Sequence, residues 1–344
     1  MSEPKRRFGK QIDYYSLGKS FADYRLFMEH MQEKAEALWC AANRDGKIAR
    51  ISICPICNSE DTVPVINYAK FDYLRCNNPQ CQHVFVASLL DRDYADKFFA
   101  KDEQYSDKNY CSVDKINYRV ENIAKPKVKY ILQHTKDSLP GAWLDVGCGS
   151  GEILFAAKNM GWDGIGLELN DSYASFGKRH FGIDILNKTL EDYLSTGRQF
   201  DIISFIGVLH CVVNPLELLK QSLVALKPNG IIAAEISNFN SLTSAAVRTF
   251  PKQPTRSFYN GITTNHLFTE ESAIYLFSEC RLNIIAVWHF GADIYELLNQ
   301  LSFLYSAFAG SKLHEMIVGL ANDFQLSLDK RKLSEKMLLI AARK

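Results

Sequence analysis

Residues 143–151 read Trp-Leu-Asp-Val-Gly-Cys-Gly-Ser-Gly, and they restrict the chain more than any other segment. Ala142 to Val146 is a short apolar run of strand character. The glycines at 147, 149 and 151 then let the backbone turn sharply and approach a ligand with no Cβ in the way. A helical pattern follows at once, with Ile153, Leu154, Ala157 and Met160 as its apolar positions. The loop therefore sits at a helix N-terminus, where free N–H groups point outward.

The loop's charges bear on what it holds. A dinucleotide fingerprint is G-x-G-x-x-G, with a pyrophosphate on the helix N-terminus. Here the third glycine comes one residue early, and Glu152 occupies the first helical turn. A carboxylate there repels a pyrophosphate but suits a ligand bearing an ammonium and a sulfonium, as does Asp145 at the strand end. The next apolar run, Gly164 to Leu167, closes on Glu168. That acid lies about twenty residues beyond the loop, where a carboxylate accepts ribose hydroxyls. The reading is an S-adenosylmethionine (SAM) site, with Asp145, Gly147, Gly149, Gly151 and Glu168 as cofactor-binding residues.

Residues 140–344 resemble a class I SAM-dependent methyltransferase along their whole length. The resemblance implies an α/β fold with a doubly wound, Rossmann-like, seven-stranded sheet, the ligand lying over the carboxyl ends of its strands. It places the methionine part on the loop Asp145–Gly151, and the adenine beside Leu190, Glu191 and Asp192. Phe200 to Ile206 would be the fourth strand, with Ile206 facing the cofactor. Leu226-Lys227-Pro228-Asn229-Gly230 would be the turn before the fifth strand, Ile231 to Ile236, and Lys336 to Ala342 the last strand.

Four of the nine cysteines form a second pattern: Cys54-x2-Cys57, eighteen residues, then Cys76-x4-Cys81. Two paired-cysteine knuckles at this separation match a tetrahedral Zn2+ site whose four protein ligands leave no position open for substrate. Pro55 and Asn77-Asn78-Pro79 are turn formers in the right places. His83, two residues beyond Cys81, is either a substitute ligand or an ordinary ribbon residue. The opening residues Met1 to Arg7 lack a hydrophobic signal core, so a reduced, cytoplasmic setting is expected rather than a disulfide framework. Cysteines 40, 111, 148, 211 and 280 are read as packed thiols.

The chain then divides into a tail and amphipathic helix (1–50), a zinc ribbon (51–90) with strands at Ile51–Cys54 and Val84–Ala87, a helical cap (91–139) and the methyltransferase domain (140–344). Within the cap a helix is expected around Ile116 to Leu132, and Tyr105, Tyr110 and Tyr118 either line a pocket or pack a half-buried helix. Two acceptor-side insertions interrupt the domain, at 237–266 and 293–334. The second carries an apolar stripe from Ile294 to Phe308, suited to the core or to a homodimer better than to a membrane. Forty basic against 39 acidic side chains, a net charge of +1, leave no polycation for non-specific nucleic-acid binding.

Methyl transfer asks mainly for in-line positioning and exclusion of water, with a base only where the acceptor must lose a proton. The place to look is after strand four, Gly207 to Pro215. Many bacterial family members carry Leu-Glu-His-Val-x-Asp-Pro there. This chain has His210 where the glutamate is expected and Cys211 where the histidine is. His210 is the first catalytic candidate, as neutral imidazole suits proton abstraction near pH 7. His266, in Asn265-His266-Leu267-Phe268-Thr269, is the second; it either touches the acceptor or pins its loop. Arg256 and Tyr259 are weaker acceptor-binding candidates.

A zinc module ahead of this fold resembles bacterial sugar C-methyltransferases acting on nucleotide-activated deoxysugars, with oxygen, nitrogen and carbon all open as the accepting atom. The implied acceptor is a small molecule, a nucleotide-sugar or glycan precursor. The alternative is an rRNA or tRNA base methyltransferase, since guanine-N1 ribosomal RNA enzymes also join a zinc module to this fold. That reading makes the ribbon, with Lys5, Arg6, Arg7, Arg44, Lys47 and Arg50, a nucleic-acid reader. A third reading is a non-catalytic SAM-binding interaction protein.

Overall fold

The computed structural model describes residues 3–9, 21–68, 71–101, 113–136, 140–249 and 263–344. In chain order it opens with β1 (Lys5–Phe8), the long helix α1 (Phe21–Arg44) and β2 (Ile48–Arg50). Gly46, at φ +66°, turns the chain out of α1. Three strands follow, β3 (Thr62–Tyr68), β4 (Phe71–Cys76) and β5 (Val84–Val86), then β6 (Ser88–Leu90), which pairs with β2. Ile51–Cys54 is not a strand. Cys54 N–H bonds to Ser59 O instead and closes a knuckle, so the ribbon's pairing moves to β3 and β4.

Helices α2 (Arg92–Lys101), α3 (Val113–Arg119) and α4 (Lys125–Leu132) come next, the last two joined by a π-helical turn at Val120–Ala124. The domain then alternates strand and helix: β7 (Ala142–Val146), α5 (Glu152–Lys158), β8 (Asp163–Leu167), α6 (Asp171–Phe181), β9 (Asp184–Leu186), α7 (Leu190–Leu194), β10 (Phe200–Ile206), α8 (Pro215–Ala225) and β11 (Leu226–Ser237). Side-chain caps mark where these helices start. Asn170 accepts from the N–H groups of Ser172 and Tyr173, Thr189 from Asp192, and Asn214 from Glu217. After α9 (Leu242–Thr249) come β12 (His266–Leu267), α10 (Glu270–Glu279), β13 (Leu282–Phe290), α11 (Asp293–Leu304), α12 (Lys312–Gly319), α13 (Ala321–Lys330) and β14 (Lys336–Arg343).

The central sheet runs β1-β13-β14-β11-β10-β7-β8-β9. Seven of its strands are those expected of the doubly wound fold, with β14 antiparallel to both neighbours. The eighth is β1, from the basic N-terminal segment, which pairs in parallel with β13. The expected turn Leu226–Gly230 is instead an irregular start to β11, whose register against β10 shifts between Phe200 and Ile202.

Strand alternation divides the core into two layers. Leu144, Ile203, Phe205, Ile232 and Leu339 bury on one face. Trp143, Ile202, Ile231, Trp288 and Ile340 bury on the other. Both faces of the sheet are covered, as a parallel α/β sheet requires. The crossover from β7 to β8 through α5 leaves the glycine loop at the carboxyl end of the sheet.

In the second insertion Ile294, Tyr295 and Leu298 are buried, whereas Leu304, Tyr305, Leu313, Met316 and Phe324 are exposed. No helix among the described residues is long and apolar enough to cross a membrane. Tyr105, Tyr110, Arg256 and Tyr259 lie outside the described residues.

Candidate active site and metal centre

The glycine loop has the conformation that its sequence demands. Gly147, Gly149 and Gly151 have φ of +68°, +56° and +84°, a region that L side chains rarely adopt. At Gly147 the space is also taken: a Cβ there would lie 2.6 Å from Val208 Cγ2. The loop closes one wall of a cavity of about 350 Å³ also lined by Asp145, Glu152, Tyr173 and Ile206.

Three carboxylates surround this loop. Asp145 is buried and accepts from Ser204 Oγ at 2.5 Å. Ser204 in turn accepts from the indole N–H of Trp143 at 2.7 Å, so its own proton is committed to Asp145. Burial pushes the Asp145 carboxyl up to about 7; Ser204 opposes the shift and the charges of Glu152 and Glu168 add to it. Glu168 accepts from Gly149 N–H at 2.8 Å and from Asn170 N–H at 2.9 Å. Burial raises it too, against those backbone donors. Glu152 pairs with Arg119 at 2.8 Å. Burial makes Asp145 and Glu168 reluctant to ionise, and a cationic ligand beside them offsets that cost, so this rim fits a cation better than an anion.

The opposite wall is built from residues that no local sequence pattern marks. Arg119 and Lys127 both line the cavity, one on each side of the π-helical turn. Lys127 Nζ meets Glu235 Oε2 at 2.5 Å, and both side chains are nearly buried. Glu235 lies level with Ile206 across β10 and β11. Its only sequence signal was an acid inside the apolar run Ile231–Ile236.

Beyond Ile206 the chain turns at Gly207, φ +78°, into the loop that carries His210. His210 is half-buried, and its Nδ1 is shielded without a hydrogen-bond partner among the described residues. Burial pushes this ring down to about 3; the Lys336 charge adds to the effect and Glu235 opposes it. His266 is fully buried. Its Nδ1 faces His83 Nε2 at 3.0 Å, and its Nε2 faces Val212 O at 3.0 Å and Val213 O at 3.3 Å. Burial pushes His266 down to about 4, opposed by those carbonyls.

The candidates thus separate. Asp145, Gly147, Gly149 and Ile206 line one cavity; Gly151 caps α5 behind them, and Glu168 braces the loop. His210 and His266 are joined through the backbone, with His266 N–H donating to His210 O at 3.1 Å. Neither ring lines that cavity. Leu190 is buried in the core, and Glu191 turns outward to Arg92 at 3.1 Å.

Residues 116–286 match the family model described as a methyltransferase domain. This segment is a methyltransferase domain. A ubiquinone biosynthesis O-methyltransferase of Cereibacter sphaeroides is 29% identical over 102 residues, 28% of this chain and 41% of that protein. One from Actinobacillus pleuropneumoniae is 26% identical over 116 residues, 31% of this chain and 50% of that protein. The chain thus spans half or less of these curated relatives. A solved SAM-dependent methyltransferase from Archaeoglobus fulgidus superposes with a TM-score of 0.44 at 16% identity, covering 66% of this chain and 96% of that one.

Against the methyltransferase domain lies the cysteine cluster. The sulfurs of Cys54, Cys57, Cys76 and Cys81 all lie within 4.8 Å of one another. Cys54 and Cys81 are 3.7 Å apart, and Cys57 and Cys76 are 3.5 Å apart. A tetrahedral ion with bonds of about 2.3 Å needs sulfurs about 3.8 Å apart, so the donor set fits Zn2+. Asn58 and Gln82, at φ +57° and +49°, supply the left-handed turns of the two knuckles. His83 points away to His266.

Proposed function

We propose that this chain transfers the methyl group of SAM to a small-molecule acceptor, through oxygen, with a sugar or glycan precursor as the acceptor class. The observation that carries the reading is the set of three carboxylates, Asp145, Glu152 and Glu168, around a left-handed glycine loop under one cavity. Asp145 and Glu152 suit the ammonium of the methionine part, and Glu168 the ribose hydroxyls. Arg119 and Lys127, ion-paired with Glu152 and Glu235, are the cations on the cavity wall that the methionine carboxylate would meet. The O-methyltransferase relatives support oxygen as the accepting atom, and the module order supports the sugar class. Leu190 and Glu191 are better placed to build the wall beneath the adenine and its rim than to touch it.

When bound, SAM would supply an activated methyl group: its bond to sulfur breaks and leaves a neutral thioether as the acceptor oxygen bonds to carbon, and the hydroxyl proton passes to solvent. The chain's own residues then have to exclude water and orient the acceptor hydroxyl. His210 stays neutral at pH 7 and presents an imidazole nitrogen as a hydrogen-bond acceptor beside Gly207. A ring pushed to about 3 orients a hydroxyl better than it stores its proton. His266 has both ring nitrogens engaged and serves to hold the loop. Four thiolates around Zn2+ leave no open position, so the metal is structural.

The test is transfer of a labelled methyl group from SAM into fractionated extract, comparing the nucleotide-sugar and other small-molecule pool with RNA. Label in the small-molecule pool, reduced by His210→Ala, is the expected result. Label confined to RNA overturns the reading.

A further inference from the structure

The cysteine ribbon and the methyltransferase domain share a sheet. β12 belongs to the domain's chain segment, yet it is the outer strand of the ribbon, in the order β12-β5-β4-β3. Backbone bonds hold it from both sides. Toward the ribbon, Val86 N–H donates to Asn265 O at 2.9 Å. Toward the domain, the N–H groups of Asn265 and His266 both donate to His210 O, at 2.8 and 3.1 Å. Side chains repeat the arrangement: Tyr73 donates to Thr264 O at 2.6 Å, and Asn265 Nδ2 donates to Cys211 O at 2.6 Å.

The histidine pair lies at the centre of this junction, and its protons can be assigned. His266 Nε2 faces two carbonyls, which only accept, so Nε2 carries the proton. His266 Nδ1 is therefore an acceptor, and His83 Nε2 carries the proton that it receives. His83 Nδ1 is then unprotonated, and it has no hydrogen-bond partner among the described residues. His83 is in turn fixed by the cysteines, lying two residues past Cys81 with its carbonyl accepting from Cys76 N–H at 2.9 Å. At the other end, Val208 of the same loop as His210 packs on Gly147 of the glycine loop.

We propose that His83 and His266 are positioning residues that couple metal loading of the four-cysteine cluster to the order of the loop 207–214 beside the cofactor site. A cation on the four sulfurs ties the knuckle of Cys54 and Cys57 to that of Cys76 and Cys81. It thereby holds His83 in register with His266, and His266 holds the carbonyls of Val212 and Val213. The inference rests on the metal reading of the cluster but not on any acceptor.

The experiment is amide hydrogen exchange of the full chain, read at 207–214 and 263–268, with Zn2+ bound or stripped by 1,10-phenanthroline under reducing conditions. Stripping should speed exchange in both segments by about three- to tenfold, the scale of one or two lost hydrogen bonds. His266→Ala should do the same while keeping its Zn2+ and an unchanged Co2+–thiolate absorption band. Stripping that variant should add no further change at 207–214. His266→Gln, whose amide can still donate to Val212 O and accept from His83, should restore protection; His83→Gln probes the contact from the ribbon side if His266→Ala does not fold. Stripping that loosens only the ribbon, or a His266→Ala variant with an unchanged loop, overturns the coupling. A chain that takes up no Zn2+ overturns the metal reading as well.

Discussion

Asp145 combines a cost to the empty fold with a use for the filled one. Its carboxyl, buried against Ser204, is raised from 3.8 to about 7. An acid raised on folding makes the folded state bind more protons, so its contribution to stability falls as pH climbs from about 4 through about 7. Asp145→Asn should therefore raise the Tm of the unliganded chain at pH 8 while weakening SAM. A cationic ligand reverses the sign, because it binds the ionised form. SAM affinity should be full above about pH 7 and decline below it, by up to about tenfold per pH unit. Calorimetric titration from pH 5.5 to 8.5 checks this; a flat profile in the wild type contradicts it. Gly147→Ala should lose SAM affinity in a folded chain, since its φ of +68° and the Val208 methyl 2.6 Å away both refuse a Cβ.

Elements show why some of the site was legible and some was not. The strand Ala142–Val146, the helix from Glu152 and the acid at 168 are local signals, each fixed by a few consecutive residues. Cys54, Cys57, Cys76 and Cys81 are legible for the same reason, through their spacing. Lys127 and Glu235 are 108 positions apart, and only the sheet order brings the end of β11 beside the helix that carries Lys127. The π-helical turn at Val120–Ala124 is equally silent in sequence, although the cavity's two cations lie on either side of it. Because this ion pair is buried, breaking it should cost more than replacing it. Lys127→Met or Glu235→Gln alone should destabilise by about 3–5 kcal/mol, and the double variant by less than either. Equal or additive losses in urea unfolding would count against a coupled buried pair.

At the scale of the whole molecule, the chain departs from the linear order of its segments. The basic N-terminal segment becomes the edge strand β1, with Arg7 over the Trp288 ring at 4.0 Å and Gly9 O accepting from the Trp288 indole at 2.8 Å. The ribbon likewise borrows β12 from beyond residue 260. Neither long-range pairing has a periodic signature, since short strands of two to four residues carry too few alternating positions to be read. Removing residues 1–9 should lower Tm by uncovering the β13 edge and Trp288. Cys54→Ser with Cys57→Ser should abolish metal binding, against about one Zn2+ per wild-type chain by mass spectrometry.

The most direct measurement for the whole account is calorimetric titration of the full chain with S-adenosylhomocysteine, beside NAD as the competing nucleotide. One-to-one binding of S-adenosylhomocysteine, weakened in Glu168→Ala, with no heat from NAD, is the predicted result. No binding of S-adenosylhomocysteine, or preference for NAD, would contradict it.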